Sequence, residues 1–385
     1  MGEWKNVRVG ELGKIITGKT PKTSISDNYG GRIPFLTPSD NMSVKYVGKT
    51  SKTLTEKGLL EVKNAILPEN SVCVSCIGSD LGKAVITTCP TVTNQQINSI
   101  IVDKKSFDVS FVYYAMQILG KKMNFISKTS TAVPIVNKSS FSSYEIKCPP
   151  REDQKRIAAV LSALDSKIEC NKKINDNLSD LLQTIYQRQF GKVGLANNCG
   201  ILADICSYSK DKIEISKLGL DTYYSTENML PEKSGAVKAT SLPTTSQTTA
   251  CHKGDTLVSN IRPYFKKIVY CEDDCGCSTD VLCFKPVHPR YTGYLFSTLY
   301  ADSFFDFMVA GAKGTKMPRG DKQQIMTYPV VLPSEKDLSE FNSVATPILT
   351  QIYSNRTESE KLSAIRDTLL PKLILGEIDV SSIQL

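Results

Sequence analysis

The chain repeats itself once, and this internal duplication limits the architectures open to it more than any other feature. In the first copy, the segment 71–78 (SVCVSCIG) precedes 82–86 (GKAVI); in the second, 255–262 (DTLVSNIR) precedes 266–270 (KKIVY). The offset in sequence number is 255 − 71 = 184, and later proline positions keep the same offset (318 − 134 and 333 − 149). One register held from 71 to 149 predicts a duplicated structural unit.

Each copy is predicted to form an α/β (α+β) globule that is followed by a long helix, which gives the chain a pseudo-two-fold plan. A length of 385 residues suits two or three domains. Short β-rich runs bounded by turn residues predict strands at 71–77, 84–88, 97–102, 257–261, 268–271 and 281–284. Short helices are predicted at 111–119 and 294–308.

The long helices give the clearest local signal. Apolar residues recur every three or four positions in 152–190 and again in 335–375. Pro149 and Pro150 block helix upstream of the first, and Ser334 with Asp337 predicts an N-cap for the second. Two further prolines predict interruptions of the second helix, and they stand at Pro347 and Pro371.

Polar residues interrupt both apolar stripes at equivalent places. Asn171 in the first helix and Asn355 in the second differ in sequence number by 184. If the helices pair as an antiparallel coiled coil, these residues meet and fix the register; two unrelated surface helices remain the alternative. A helix of about 38 residues would span roughly 57 Å and act as a ruler. The predicted domains are 1–150, helix 151–190, 191–333, and helix with tail 334–385. The residues expected to pair are Asn171, Asn175, Asn355 and Ser359.

Composition narrows the class of protein. Lys and Arg exceed Asp and Glu by 47 − 39 = 8, a balance that suits an anionic partner such as nucleic acid. The N-terminal segment has no apolar signal region and no run approaches a membrane span, so we expect a cytoplasmic protein. Two histidines exclude chemistry that needs several of them, and 12 scattered cysteines predict reduced thiols.

Several catalytic motifs are matched only in part. Residues 13–20 fit the phosphate-loop pattern G-x-x-x-x-G-K-S/T, but 21–31 lacks the helix that such a loop must open. Cys73 and Cys76 point to opposite faces of a predicted strand, whereas a structural metal at Cys271, Cys275 and Cys277 stays open. E-x-K tripeptides occur without the rest of a nuclease site, and the adenine-methyltransferase motif N-P-P-Y/F is missing.

Polar, basic loops at matching places in the two copies are the best candidates for a binding surface. Lys and Arg neutralise phosphates, while Arg and Asn can also read base edges. In the first copy these residues are Lys19, Thr20, Lys22, Ser79, Asp80, Lys83, Lys128, Ser130 and Thr131. In the second they are Asn260, Arg262, Tyr264, Lys266, Lys267, Lys313, Thr315, Lys316 and Arg319.

Taken together, these segments resemble the specificity subunit of type I restriction-modification systems. The resemblance covers nearly the whole chain and rests on ITGKTP at 16–21, TNQQIN at 93–98, TAVP at 131–134 leading to CPPREDQKRI at 148–157, YSTENM at 224–229, VSNIRP at 258–263 and LLPKL at 369–373. It implies two target recognition domains that read a bipartite double-stranded DNA target, with the paired helices setting the half-site separation.

The resemblance also implies the partners. Two modification subunits would bind the helical regions and methylate adenine with S-adenosylmethionine. A restriction subunit, where present, would cleave DNA with ATP and Mg²⁺. The chain itself would then be non-catalytic, with no cofactor or metal of its own. A stand-alone phosphate-loop ATPase or nuclease is the main alternative, and a coiled-coil scaffold without DNA affinity is a third.

Overall fold

The computed structural model describes residues 3–128, 136–191 and 198–383. The chain divides into two compact units, the first comprising Met1–Glu169 with Ser359–Leu385 and the second Cys170–Glu358. Both units combine mixed β-sheet with helices, and two long helices contribute residues to each unit. The predicted α/β class with paired long helices is confirmed.

The first unit contains a five-stranded sheet, a four-stranded sheet and a two-stranded ribbon. Its elements are β1 Lys5–Arg8, β2 Gly13–Thr17, β3 Tyr29–Leu36, β4 Tyr46–Val47, β5 Lys52–Leu54, α1 Glu56–Glu61, β6 Ile66–Leu67, β7 Val72–Ser75, β8 Ala84–Thr87, β9 Thr91–Thr93, β10 Ile97–Val102, α2 Val109–Lys128, α3 Lys138–Ser143 and β11 Glu145–Cys148. The strand orders are β2-β10-β7-β8-β4, β5-β3-β9-β6 and β1-β11. The β3–β9 and β4–β8 pairs are parallel and the others antiparallel.

The first long helix, α4, spans Arg151–Phe190, and the second unit follows it. The elements of that unit are β12 Cys199–Ile201, β13 Cys206–Tyr208, β14 Lys212–Glu214, β15 Tyr223–Tyr224, β16 Gln247–Cys251, β17 Thr256–Ser259, β18 Ile268–Tyr270, β19 Cys275–Cys277, β20 Val281–Pro286, α5 Thr292–Tyr300, α6 Asp302–Ala310, α7 Lys322–Ile325, β21 Pro329–Val331 and the second long helix, α8 Glu335–Leu375. Its sheets run β13-β20-β17-β18, β14-β16-β19-β15 and β12-β21.

The two units repeat their strands in the register that the sequence predicts. The starts of β7 and β17 differ in sequence number by 256 − 72 = 184, and the same offset separates β9 from β19 (275 − 91) and β10 from β20 (281 − 97). The starts of the long helices give it again, since 335 − 151 = 184. The duplication is therefore confirmed as a structural one.

Both predicted short helices differ in extent from those observed. Helix α2 continues past Gly120 to Lys128, because this glycine does not end the helix but lets it approach Gly82: a Cβ at Gly120 would lie 1.9 Å from the Gly82 carbonyl oxygen. The single helix predicted at 294–308 is two helices, because Ala301 is extended (φ −64°, ψ 141°) and separates α5 from α6.

Specific contacts fix the start of each long helix. The side chain of Gln154, which is buried, donates to the Pro149 carbonyl (2.9 Å) and accepts from the Asp108 amide (2.9 Å), so it ties the first turn of α4 to the start of α2. At α8 the Ser334 hydroxyl accepts from the Asp337 amide (3.2 Å), and the Asp337 carboxylate accepts from the Ser334 amide (3.1 Å). The predicted cap of the second helix is confirmed.

The interruptions predicted at Pro347 and Pro371 are wrong, since α8 is helical through both residues. A proline leaves the carbonyl four residues earlier without its helical partner. Those carbonyls belong to Ser343 and Asp367, which are both exposed, so water can satisfy them. Apolar contacts of the neighbouring turns then hold the helix together.

Within the second unit, the two long helices run antiparallel and meet at buried asparagines. Asn171 donates to the Asn355 carbonyl (3.3 Å) and to the Glu358 carboxylate (2.7 Å). Asn175 donates to the Ile352 carbonyl (3.1 Å), and its own side-chain oxygen accepts from Asn355 (2.8 Å). The structure thus brings together three of the four residues expected to pair, and the fourth, Ser359, belongs to the first unit.

Both helices also contribute to the largest hydrophobic cluster of each unit. In the first unit, Ile157 and Leu161 of α4 pack with Leu370 and Leu373 of α8 against the sheet and α2. In the second, the corresponding buried residues are Leu182, Tyr186, Phe190, Leu338, Phe341 and Ala345. Tyr186 and Phe190 extend the predicted apolar stripe with aromatic contacts to Tyr294 and Phe341.

A polar network crosses the helix pair inside the first unit. The ammonium group of Lys45 lies 2.7 Å from Ser162 Oγ and 3.1 Å from the Tyr114 hydroxyl. Tyr114 donates to Asp165 (2.5 Å), which also binds Arg366 (2.9 Å). Burial lowers the pKa of Lys45 to about 8. In the second unit, the residues at the same offset from Tyr114, Asp165 and Arg366 are a threonine and two leucines.

We expect the asparagine contacts to fix the helix register at the expense of stability. Asn171→Leu alone should lower the free energy of unfolding by about 1–3 kcal/mol, because it leaves buried partners unsatisfied. Asn171→Leu combined with Asn355→Leu should melt above the wild type, since two leucines pack across the seam. Thermal unfolding followed by circular dichroism measures both, with Lys172→Leu at the exposed neighbouring position as control. Additive losses in the double variant would contradict the contact.

The lowered pKa of Lys45 predicts a pH dependence of the first unit. Between pH 8 and about 9.5, the unfolded chain keeps the Lys45 proton and the folded chain releases it, so stability should rise with pH. The only tryptophan, Trp4, packs in the first unit and reports its urea unfolding. Lys45→Met should flatten the rise, whereas Lys49→Met, at an exposed site, should keep it. Equal slopes in the wild type and Lys45→Met would refute the assignment.

Candidate nucleic-acid interface

A strained turn after β17 is the most distinctive feature of the second unit. Pro263–Phe265 form one 3-10 turn, and the residues on either side of it, Arg262 (φ 49°) and Lys266 (φ 50°), both adopt the left-handed conformation. That conformation is unfavourable for a residue with a side chain and occurs routinely only in glycine. The turn therefore keeps two basic side chains where glycine would fit without strain.

The first unit has glycine at both equivalent positions. Gly78 (φ 68°) is the first residue of the 3-10 turn Gly78–Asp80 after β7, and Gly82 (φ 86°) lies two residues beyond its end; 262 − 78 and 266 − 82 both equal 184. Both units therefore place left-handed residues at the same two positions of this turn. The arginine and lysine of the second unit are an addition to it, and strain retained for a side chain points to a function of that side chain.

The segment 311–321 completes the surface beside this turn. Its backbone is held by the turn, since the Arg262 amide donates to the Pro318 carbonyl (2.8 Å) and the Gly320 amide donates to the Asn260 carbonyl (3.2 Å). Arg319 forms a two-way backbone bridge with Lys313. The structure therefore brings the candidate residues of the second unit onto two adjoining loops: Asn260, Arg262, Tyr264, Lys266, Lys267, Lys313, Thr315, Lys316 and Arg319.

Carboxylates neutralise part of the charge on these two loops. Arg319 binds Asp280 (3.0 Å), and Lys313 binds Asp321 (2.6 Å), which lowers the pKa of that carboxyl. Lys266 binds Asp302 (2.7 Å), a contact that raises the pKa of the lysine. Lys267 instead donates to the Thr226 carbonyl (2.6 Å).

Two cations of the set remain available to a ligand. Within the described part of the chain, neither Arg262 nor Lys316 has a carboxylate partner. Nearby, Asn260 is 6% exposed and its side-chain oxygen has no hydrogen-bond partner; Arg262 Nε is also buried without one. Since both of these atoms are buried, the accessible part of Arg262 and the exposed Lys316 are the groups that a ligand can reach.

The candidates of the first unit surround the turn 94–96. Thr20 donates to the Gln95 side chain (2.6 Å), and the Cys76 amide, just before the Gly78 turn, donates to the Gln96 carbonyl (2.8 Å). Lys83 is paired with Asp80 (2.6 Å), whereas Lys19 is exposed.

The remaining candidates of the first unit are less informative. The Ser79 carbonyl accepts from Asn124 (3.4 Å), and the backbone amide of Lys22 donates to Glu61 (2.9 Å). Lys128 is the last residue of α2. Ser130 and Thr131 lie outside the described residues.

Two residues near these loops were not among the binding candidates predicted from the sequence. Gln95 contacts Thr20, and its place within the TNQQIN segment was a usable signal. Phe265 is 37% exposed beside Tyr264, which is 47% exposed. Nothing in the local sequence separates an exposed phenylalanine from a core one, because the turn that exposes it is set by tertiary contacts.

The phosphate-loop interpretation of residues 13–20 has no structural support. Gly13–Thr17 form strand β2, and no helix opens after Gly18; the next helical element is a 3-10 turn at Ser26–Asn28. The loop therefore lacks the helix N-terminus that holds phosphates in such sites.

The cysteines are free thiols and most are buried. Cys73 and Cys76 belong to different hydrophobic clusters, so their predicted opposite orientation is confirmed. Cys271 and Cys275 have sulfur atoms 3.7 Å apart in the core of the second unit. Across the described residues, no group of three or more Asp, Glu, His or Cys side chains is arranged to hold a metal ion.

None of the described helices combines the length and apolar character needed to cross a membrane.

Comparison with known proteins identifies similar chains. Residues 1–180 match the family model described as type I restriction modification DNA specificity domain. The MjaIX specificity subunit of a type I restriction enzyme from Methanocaldococcus jannaschii is 24% identical, over 99% of this chain and 95% of that protein. The HindI specificity subunit from Haemophilus influenzae is 33% identical, over 46% of this chain and 40% of that protein.

One solved structure shares the fold. The crystal structure of a type I restriction-modification S subunit from M. genitalium superposes with a TM-score of 0.56 at 18% identity, covering 97% of this chain and 96% of that chain.

The strained turn predicts a conflict between stability and function at Arg262. Arg262→Gly should raise the free energy of unfolding by up to about 1 kcal/mol, because glycine adopts a positive φ without strain. Thermal unfolding measures the gain, and Arg319→Gly, whose φ is not positive, should show none. A loss of stability in Arg262→Gly would mean that packing of the guanidinium outweighs the backbone strain.

Proposed function

The chain belongs to the type I restriction-modification DNA specificity subunits, and we propose that each of its two units reads one half of a bipartite DNA target. The observation that carries this proposal is the turn that follows β7 and β17. In both units it has left-handed residues at the same two positions, which are glycines in one unit and basic residues in the other. A common scaffold with different surface chemistry is what two readers of different half-sites require.

The free cations suggest how the second unit binds. Arg262 can form the bidentate contact to guanine that is the commonest specific contact in the major groove, or it can anchor a phosphate. Lys316, on an exposed loop, is suited to a phosphate. In the first unit, we assign phosphate contacts to Lys19 and to Lys83.

A specificity subunit directs the chemistry of other chains and is not itself the enzyme. We propose that two modification subunits dock on the long helices and bring S-adenosylmethionine to a target adenine. A restriction subunit would use ATP and Mg²⁺ where the system also cleaves. The helix pair would determine the spacer between half-sites. Since the partner is chromosomal DNA, the complex would work in the cytoplasm of a bacterial or archaeal cell.

Two alternatives are distinguished by simple assays. A stand-alone ATPase or nuclease would hydrolyse ATP or cleave DNA as the purified chain, an activity for which the geometry of residues 13–20 gives no support. A scaffold without DNA affinity would show no salt-dependent DNA binding even with modification subunits present.

The two-reader proposal predicts that Arg262→Ala damages only one half-site. With the modification subunits in a host without other adenine methyltransferases, sequencing of methylated adenines gives the target. Arg262→Ala should relax base preference in one half by about 1–3 kcal/mol, while the half read by the first unit stays intact. Arg319→Ala, whose side chain is paired with Asp280, should have a smaller effect. Relaxation of both halves, or of the first alone, would contradict separate reading.

Lys19→Ala provides the contrasting variant. If Lys19 touches only phosphate, its loss should weaken binding to every sequence alike and reduce the slope of log K against log salt by about one charge. Lys253→Ala removes an equal charge. Lys253 precedes β17, whereas Asn260 follows it, so the slope should stay unchanged. Altered base preference in Lys19→Ala would show that Lys19 reads sequence.

A further inference from the structure

Two aromatic side chains project from the strained turn of the second unit. Tyr264 and Phe265 are 47% and 37% exposed, and their ring centroids lie 4.8 Å apart. Met317, on the adjoining loop, is 50% exposed. Large apolar side chains exposed together on a functional surface indicate a contact with a partner.

The turn is built to hold these rings in place. The Phe265 amide donates to the Arg262 carbonyl and the Lys266 amide to the Pro263 carbonyl, both at 2.9 Å. From outside the turn, the amides of Glu232 and Lys233 donate to the carbonyls of residues 265 and 266, again at 2.9 Å.

A buried proline and an ion pair complete the support of the turn. Pro263 is buried at its base, and the Lys266–Asp302 ion pair fixes its far end. Aromatic rings on a rigid support lose little conformational freedom when they bind.

The charges around the rings favour a nucleic acid as the partner. Arg262 precedes the rings without a carboxylate partner, and Lys267 Nζ lies 5.9 Å from the centre of the Phe265 ring. Lys316 adjoins Met317. Bases offer apolar faces between anionic phosphates, so an apolar patch inside a cationic rim matches both parts of DNA.

The first unit has no such feature at the equivalent positions. With the offset of 184, Tyr264 corresponds to Asp80, which is paired with Lys83. Phe265 corresponds to Leu81, which is 2% exposed. The aromatic pair is therefore a property of the second unit and not of the shared scaffold.

We propose that Tyr264 and Phe265 form an aromatic wedge that stacks into one base step of the half-site read by the second unit. The inference rests on the proposed function. Insertion partly unstacks the step and bends the duplex, at a cost that depends on the step. The wedge would thus select flexible steps and add specificity at a position that no hydrogen bond reads.

The test uses the whole complex of this chain with its modification subunits and a duplex that carries the target mapped from methylated adenines. 2-Aminopurine, whose fluorescence rises on unstacking, replaces one base at a time across both half-sites. The target adenines themselves are left unlabelled, because methyltransferases flip their target base out of the stack. At the other positions the wild type should raise fluorescence at one step of the half-site that Arg262→Ala relaxes and at no step of the other half-site. Tyr264→Ala with Phe265→Ala should abolish the rise and weaken binding about 5-fold to 100-fold.

Two variants control for a general surface effect. Tyr264→Phe keeps the ring and should keep the fluorescence rise. Val287→Ala removes an exposed apolar side chain away from the turn: Val287 follows β20, whereas Asp280, the partner of Arg319, precedes it. This variant should bind like the wild type. A mismatch at the wedge step lowers the cost of unstacking, so it should tighten binding of the wild type and not of the double alanine variant.

The outcomes separate the wedge from the proposed function. Site-specific binding by the wild type without a fluorescence rise, and with unchanged affinity in the double alanine variant, would refute the wedge alone. Loss of modification subunits from the double variant in the absence of DNA would assign the rings to a protein interface and refute it as well. Absence of any site-specific binding by the wild-type complex would refute the proposed function itself.

Discussion

The structure depends on one packing constraint: the largest hydrophobic cluster of each unit is built from residues of both long helices. The core of the first unit takes Leu161 from α4 and Leu373 from the far end of α8, so it joins distant parts of the sequence. The second core takes Phe190 and Phe341. Buried polar contacts around Asn171 then fix which turns meet, because an unsatisfied polar group in such a seam costs about 1–3 kcal/mol.

The same constraint frees the loops to differ between the units. From β7 onward, the sheet strands and the long helices follow one constant offset between the two copies, so this part of the scaffold is common. On that scaffold the first unit has glycine at 78 and 82 and a polar network around Lys45, whereas the second has strained Arg262 and Lys266 and an exposed aromatic pair. Duplicated units that keep their cores and change their loops can bind two different sequences with one architecture.

The sequence predicts the repeated scaffold well because its signals are local and occur twice. The period of the long helices and the β-rich runs needed no tertiary information. The failures have physical causes that act across the fold. Pro347 stays helical because the carbonyl that it frees belongs to an exposed residue, and Gly120 marks a close approach to Gly82 and not a helix end. The strain at Arg262 could have been predicted from the sequence, since glycine stands at the equivalent position, Gly78, in the first copy. The exposure of Phe265 could not, because tertiary contacts set the turn that exposes it.

The central claim is that one chain with two units specifies a target of two separate halves. Its most direct test is single-molecule sequencing of methylated adenines in a host that has no other adenine methyltransferase and expresses the wild-type chain with its modification subunits. The account predicts two short, different half-sites separated by a fixed number of unspecified base pairs. A single uninterrupted motif, or methylation that does not depend on this chain, would contradict it.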